Sequence, residues 1–411
     1  KIENHPDADS LRVCQVDIGE ENDVQIVCGG SNLEVWQWVA VAKIGASVLW
    51  HWVWEPVIMK KTAIRWVESL WMICASEALE KDDEILEIDN KAINHRPDMF
   101  SYMWVLREIA TIHGKKLECE YEQRDFSNIP PLLAENRIPK EVRRYSLTQV
   151  SGVENSVSNN EIKTIIEASG HSVKWLLVDI SNYSLYFYGQ PAHIFDADTI
   201  DGHIIVRYAK AGETLEALDD KTYELCEKDI VIADSKKVLA LWGIIWWKSS
   251  AVSDSTKNIL IETAHFDQAI LRMTGKRLWL RTDALNVFEK DIVPELASYA
   301  TAFILKELQK VFPNLKIEWY FDSYENKQKE VTQTFDLDFY NNLIGANYAE
   351  NYVLEILNNL LITKIDNTLH IPFWRKELSR KADIAEEIAR IDGYDKIITT
   401  TTQKEADWWR L

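Results

Sequence analysis

Hydrophobic and polar positions alternate in short runs at the start of the chain. Residues 11–18 (LRVCQVDI) and 24–28 (VQIVC) are alternating or β-branched, with a turn-like GEEND between them. Residues 39–48 (VAVAKIGASV) and 57–66 (VIMKKTAIRW) repeat the pattern. Short strands at regular spacing predict a small barrel, with a β-sandwich as the open alternative. The period then lengthens. Over residues 96–112 (RPDMFSYMWVLREIATI), Met103, Leu106 and Ala110 recur at helical spacing, and Pro97 and Asp98 suit a first turn. Pro130, Pro131 and Pro139 mark 124–140 as a linker. Between 143 and 313 the pattern is mixed. It predicts strands at 145–150, 176–180, 204–208, 229–233 and 258–261, and helices at 159–169 and 295–311, the second closed by Pro313. A polar connector follows, then helices at 337–344, 350–360 and 382–392. The final TTTQKEADWWRL reads as a linker cut short.

Composition narrows the function. A chain of 411 residues implies about two to four domains. Lys plus Arg is 46 against 65 Asp plus Glu, a net charge of −19, so nucleic acid can be held only by local basic patches. No apolar run is long enough to predict a membrane span, and KIENHPDADS has no apolar signal segment. Cys14, Cys28, Cys74, Cys119 and Cys226 are scattered and lack a C-x-x-C. That argues against a disulfide framework or a zinc site and points to the cytoplasm. No Walker loop or dinucleotide fingerprint is present. Tryptophan (17) outnumbers glycine (14), where about 7% glycine is usual.

Several motifs then fall in one order. HPDADSLRVCQVDIG (5–19), IVCGGSNL (26–33) and IRWVESLWMI (64–73) resemble the tRNA-binding OB-fold module of synthetases and their associated factors. NHRPD (94–98), VDISNYSLYFYGQPAHIFDAD (178–198), NILIETAHFD (258–267), KRLWLRTDALNVFEK (276–290) and IPFWRKELSRKADIAEEIARIDGYD (371–395) continue the series. The whole resembles the beta subunit of bacterial phenylalanyl-tRNA synthetase, as a fragment lacking the family's N-terminal segment and C-terminal modules.

The resemblance implies an α+β multidomain chain. It places an OB-fold β-barrel that binds tRNA at 1–85 and a connector with a helix at 86–142. A mixed α/β editing module follows at 143–313, then a small winged-helix-like α+β module at 328–398 and a truncated linker at 399–411. It further implies a heterotetramer of two alpha and two beta subunits acting on tRNA(Phe). The alpha subunit carries out ATP-dependent aminoacylation, and the beta subunit hydrolyses mischarged Tyr-tRNA(Phe). Lys60, Lys61 and Arg65 would supply positive charge for tRNA. His193, Glu262, Asn182, Thr282 and Ala284 match the editing pocket. Glu377, Asp383, Glu386 and Glu387 match a Mg²⁺ site shared with the alpha subunit, with Glu377 where Asp is usual.

Each assignment has a chemical rationale. A synthetic site for Phe rejects Tyr poorly, because Tyr only adds a hydroxyl. A buried carboxylate that pairs with the phenol would be left unpaired by Phe, so a second site can use the hydroxyl as its handle. Glu262 would be that group, with His193 beside it and water attacking the aminoacyl ester. Asp383, Glu386 and Glu387 fall at i, i+3 and i+4, so one helix face presents three acids. Hard oxygen ligands suit Mg²⁺. The alternative is a solvated face on which Glu386 bridges Arg390.

The sequence departs from the family pattern in one systematic way. Trp36, Trp66, Trp71, Trp104, Trp246, Trp247 and Trp279 stand where the pattern has glycine, as does Asp291; Leu285 stands for a serine. Left-handed positions without glycine are strained, and an indole at Trp246 would project into or beside the pocket. Two alternatives follow: a non-catalytic tRNA-binding scaffold with a blocked pocket, or a free-standing trans-editing hydrolase.

Overall fold

The computed structural model describes residues 2–6, 8–16, 24–28, 40–42, 47–48, 57–58, 62–64, 67–69, 72–74, 96–117, 122–217, 221–241, 243, 245–246 and 251–398. The chain divides into two compact units, Lys1–Glu87 and Ile88–Leu411. Within the first, Ile2–His5, Ala8–Val16 and Val24–Cys28 form an antiparallel three-stranded sheet. Ala40–Ala42 pairs with Met72–Cys74, Ser47–Val48 with Val57–Ile58, and Thr62–Ile64 with Val67–Ser69. Among the described residues these pieces do not close into one barrel.

The second unit is built on a four-stranded antiparallel sheet. Its strands are β1 (Arg144–Ser151), β2 (Ala192–Asp196), β3 (Asn258–His265) and β4 (Lys316–Ser323), in the order β2-β3-β1-β4. Strand side chains alternate between faces, and both faces of this sheet are covered. On one face Val150, Ile194, Ile259 and Ile261 pack with apolar residues of three helices. These are α2 (Asn160–Ala168), α3 (Leu176–Tyr183) and α6 (Leu296–Val311), the first two following the connector helix α1 (Tyr102–Ile112). On the other face Tyr145, Leu147, Phe195, Leu260 and Ala264 join a core with Val206, Ile230, Ile232, Leu239 and Leu241 of a second sheet. That sheet runs Ala134–Asn136, Ile204–Tyr208, Ile230–Ala233, Val238–Leu241, Ile245–Trp246. Helices α4 (Gln268–Leu278) and α5 (Asp283–Phe288) add Leu271, Leu285 and Phe288 to this core.

One expected strand is a helix. Residues 176–180 (LLVDI) form a short apolar run, and such a run does not separate strand from buried helix. The next turn decides it. Leu176, Leu177, Ile180 and Tyr183 are buried together, the i, i+1, i+4, i+7 pattern of a helix face. The strands and helices expected at 145–150, 159–169, 204–208, 258–261 and 295–311 are present within a few residues of those bounds.

The last module places α7 (Leu337–Ile344), α8 (Glu350–Asn359) and α9 (Lys381–Asp392) around a core of Tyr340, Val353, Leu357, Leu369, Ile384 and Ile388. An antiparallel sheet of Val331–Thr334, Thr368–Ile371 and Thr363–Ile365 completes it. Asp336 starts α7 by accepting from the Phe339 amide at 3.1 Å, a standard N-cap bond. No helix of the described residues is long and apolar enough to cross a membrane.

The non-glycine residues divide into cases. Trp104 is a core residue: its indole is buried and Nε1 donates to the Tyr188 carbonyl at 3.0 Å. Asp291 is left-handed, φ 57°. Asp tolerates that region better than most residues, and Lys376 holds it by donating to both its carbonyl and its carboxylate. Trp279 caps α4 with φ 57° and is 93% exposed. Its strain is uncompensated by packing, and glycine is the usual residue there. Trp279→Gly should therefore raise stability by about 1 kcal/mol, read as a thermal midpoint higher by about 2 °C. A lower midpoint would mean the indole contributes contacts that offset its strain. Trp36, Trp66, Trp71, Trp247 and the side chain of Trp246 lie outside the described residues.

Candidate functional site

Strand register brings two of the expected pocket residues together. His193 on β2 lies directly opposite Glu262 on β3, and Glu262 lies opposite Leu147 on β1. Directly opposed residues share a face, with Cβ atoms about 5 Å apart. The face is the one covered by the second sheet, so both polar groups sit between two apolar layers. Glu262 is 3% exposed. Burial pushes its carboxyl up to about 8, and a hydrogen bond from Tyr145 pulls the other way. That bond runs from Tyr145 Oη to Glu262 Oε2 at 3.2 Å. Burial also holds the His193 imidazole well below its usual range, so the ring is neutral at pH 7. The ring packs edge-on against Phe195, centroids 4.2 Å apart.

The other three expected pocket residues are placed by helices. Thr282 caps α5, its hydroxyl accepting from the Leu285 amide at 3.2 Å. Ala284 follows in the first turn and packs on the core shared with Tyr145, Phe195 and Ala264. Thus α5 covers the face that carries Glu262. Gly243 permits the close approach of this helix. It has φ 59°, and a Cβ there would meet the Phe288 ring at 2.9 Å. Asn182 sits on α3, whose buried side packs with Ile194 and Ile261 on the opposite face of the sheet. Tyr145, bonded to Glu262, is not among the residues the sequence singles out. Its signal was the alternation in RRYSLTQV, which puts Tyr145 and Leu147 on one face.

The expected metal face is differently arranged. Glu387 is buried, and its carboxylate accepts from Arg375 at 2.8 Å and from Arg390 at 2.8 and 3.0 Å. Burial alone would raise its pKa, but the two guanidiniums hold it well below the usual carboxylate range. Glu377 pairs with Arg375. Asp383 caps α9, accepting from the Arg380 amide at 2.8 Å and from its guanidinium. Glu386 is exposed. The bridge expected from Glu386 to Arg390 is absent from this arrangement; Arg390 turns instead to Glu387 and to Glu108 of α1, at 2.7 Å. Arg96 closes the network, bonding Asp98 at 2.6 and 2.7 Å and Glu108 at 2.6 Å. Among the described residues no group of three or more His, Cys, Asp or Glu is set to hold a metal ion. Mg²⁺ therefore does not fit these four acids as they stand: Glu387 and Asp383 are bound by arginines and amides, Glu377 pairs with Arg375 through one oxygen while its Oε2 has no hydrogen-bond partner among the described residues, and Glu386 is exposed. Lys60, Lys61 and Arg65, expected to meet tRNA, lie outside the described residues.

The sequence and these modules match known families in the same order. Residues 1–95 match a putative tRNA binding domain, 141–313 the B3/4 domain and 333–394 the tRNA synthetase B5 domain. The chain is 32% identical, over 97% of its length, to the phenylalanine–tRNA ligase beta subunit of Clostridium tetani, and 33% identical, over 97%, to that of Staphylococcus aureus strain USA300. This chain belongs to the phenylalanine–tRNA ligase beta-subunit family. It spans 54% of the length of each of those relatives. An N-terminal fragment of the phenylalanyl-tRNA synthetase beta subunit from Pyrococcus horikoshii is also similar, at 18% identity. It covers 76% of this chain and 90% of that one with a TM-score of 0.43, a likeness too slight to bear on the fold. Family membership places Glu262 and His193 in the B3/4 domain and the arginine-bound acids in the B5 domain.

Proposed function

We propose that this chain is the tRNA-binding and editing part of a phenylalanine–tRNA ligase beta subunit, and that it hydrolyses tyrosine mischarged onto tRNA(Phe). The observation that carries the reading is the buried Glu262 with His193 directly opposite it in the B3/4 domain. A carboxyl group inside an apolar layer is costly unless it meets a polar partner. A tyrosyl phenol supplies one and a phenylalanyl ring does not. Neutral His193 holds a water or the terminal RNA hydroxyl by hydrogen bonding. Water oxygen bonds to the carbonyl carbon, the ester C–O bond breaks, and the RNA hydroxyl leaves with a proton. The first unit, an OB-type module, binds the RNA through Lys60, Lys61 and Arg65. The B5 domain, a winged-helix-like module in this reading, faces an alpha subunit that aminoacylates with ATP. Two of each subunit assemble in the cytoplasm.

The test is deacylation of Tyr-tRNA(Phe) beside Phe-tRNA(Phe). The chain should cleave the first in preference, and Glu262→Ala should cut that preference by about 10- to 100-fold, the worth of one hydrogen bond to a carboxyl group. Equal rates on both substrates in the unaltered chain would refute the reading.

A further inference from the structure

Glu262 reaches the proposed pocket as a flexible side chain, and reading one hydroxyl needs a carboxyl held in a fixed orientation. The structure contains the group that holds it. Tyr145 pairs with Ala264 in the β1–β3 register, so it is the diagonal neighbour of Glu262 on the same face. Aromatic side chains span that diagonal. Tyr145 is completely buried, and its hydroxyl donates to Oε2 of Glu262. We propose that Tyr145 is a positioning residue for substrate discrimination, fixing Glu262 by its Oε2 so that Oε1 is presented to the phenol of a bound tyrosyl group. This rests on the editing reading above.

Three observations carry it. First, the carboxyl already accepts a phenolic hydrogen bond inside the apolar layer, so the chemistry required of the substrate is realised within the protein. Second, Tyr145 cannot read the substrate itself, because its hydroxyl is committed to Glu262. Third, the remaining neighbours of Glu262 in its row are His193, on β2, and Leu147, on β1. Leu147 offers no hydrogen bond. The imidazole is neutral and the Tyr145 phenol stays protonated through the neutral range, each because of burial. Glu262 is then the group in this row that titrates near neutrality.

The experiment uses the full chain with non-hydrolysable 3′-tyrosylamino- and 3′-phenylalanylamino-adenosine as probes. Tyr145→Phe removes one oxygen and keeps the ring. It should lower affinity for the tyrosyl probe tenfold or more, and leave the phenylalanyl probe unchanged. The pH at which tyrosyl preference turns should move upward, since the ionised carboxyl loses a donor. Combining Tyr145→Phe with Glu262→Gln should lose no more than Glu262→Gln alone. Glu262→Asp keeps Tyr145 and retracts the carboxyl by one methylene; the same selective loss is expected, and it serves should Tyr145→Phe fold poorly. A preference retained or increased in Tyr145→Phe would overturn the proposal, an increase marking Tyr145 as a competitor for Glu262. Additive losses in the double variant would overturn it too. An unaltered chain with no tyrosyl preference would sink the editing reading, and this proposal with it.

Discussion

Glu387→Gln is expected to destabilise the second unit by about 3–5 kcal/mol, the usual cost of removing one partner from a buried ion network. Glu387 and Arg375 are 5% and 2% exposed. Without the carboxylate, Arg375 keeps only Glu377, and Arg390 keeps Glu108. Two guanidiniums would then crowd together with less counter-charge. Since the network also includes Arg96 and Glu108, α1 and α9 should loosen together. Urea denaturation at pH 7 reads the loss. The linkage has a definite sign. The folded-state pKa of Glu387 is depressed, so its stabilisation is present above the ordinary carboxylate pKa and is lost as pH falls below it. The variant and the unaltered chain should converge in acid. Adding Mg²⁺ should leave the thermal midpoint of the unaltered chain in place, since a ligand bound by the folded state would raise it. A rise of several degrees in millimolar Mg²⁺ would show that the acids can leave their arginines for the ion.

Glu262→Gln should change the pH dependence of stability by up to several kcal/mol. The carboxyl pKa is raised to about 8 in the folded chain, chiefly by burial, against about 4.3 unfolded. Between those values the folded state holds a proton that the unfolded state has released. Stability therefore falls with rising pH across that window and levels off above it. Glutamine does not titrate. The variant should gain on the unaltered chain steadily from about pH 5 to about pH 8. The difference between the two curves isolates Glu262, because His193 contributes to both. Its depressed pKa adds stability as pH rises through the ordinary histidine range, the opposite trend. Parallel stability curves would mean that Glu262 is ionised in the folded chain. It could not then be the neutral buried carboxyl described here.

Much of this molecule follows from local pattern. Apolar residues at helical spacing fix α6 and α9, and the alternation in RRYSLTQV and NILIETAH fixes β1 and β3. In α9 the i, i+3, i+4 spacing fixes that Asp383, Glu386 and Glu387 share a face. Motif order alone assigned the family. By contrast LLVDI read as a strand, because five residues of apolar chain hold too little of either period. The next turn, ending at Tyr183, supplied the difference.

What the sequence could not determine is who meets whom across long separations. The spacing of the acids of α9 leaves both a solvated face and a metal site open. The fold brought Arg96 from the connector and Arg375 from the loop before α9, so the charge of the buried Glu387 carboxylate is balanced by guanidiniums. Likewise His193 and Glu262 are far apart in the chain and become partners only through the β2–β3 register. Tyr145 joins them because β1 lies on the other side of β3. A one-residue slip in either pairing would turn these side chains to the helical face. The sequence therefore determined the elements and the chemical groups they carry, since those depend on neighbours a few residues away. Tertiary structure alone decided which carboxyl is neutral and which is ionised. That choice depends on burial and on distant counter-charges, which no local pattern records.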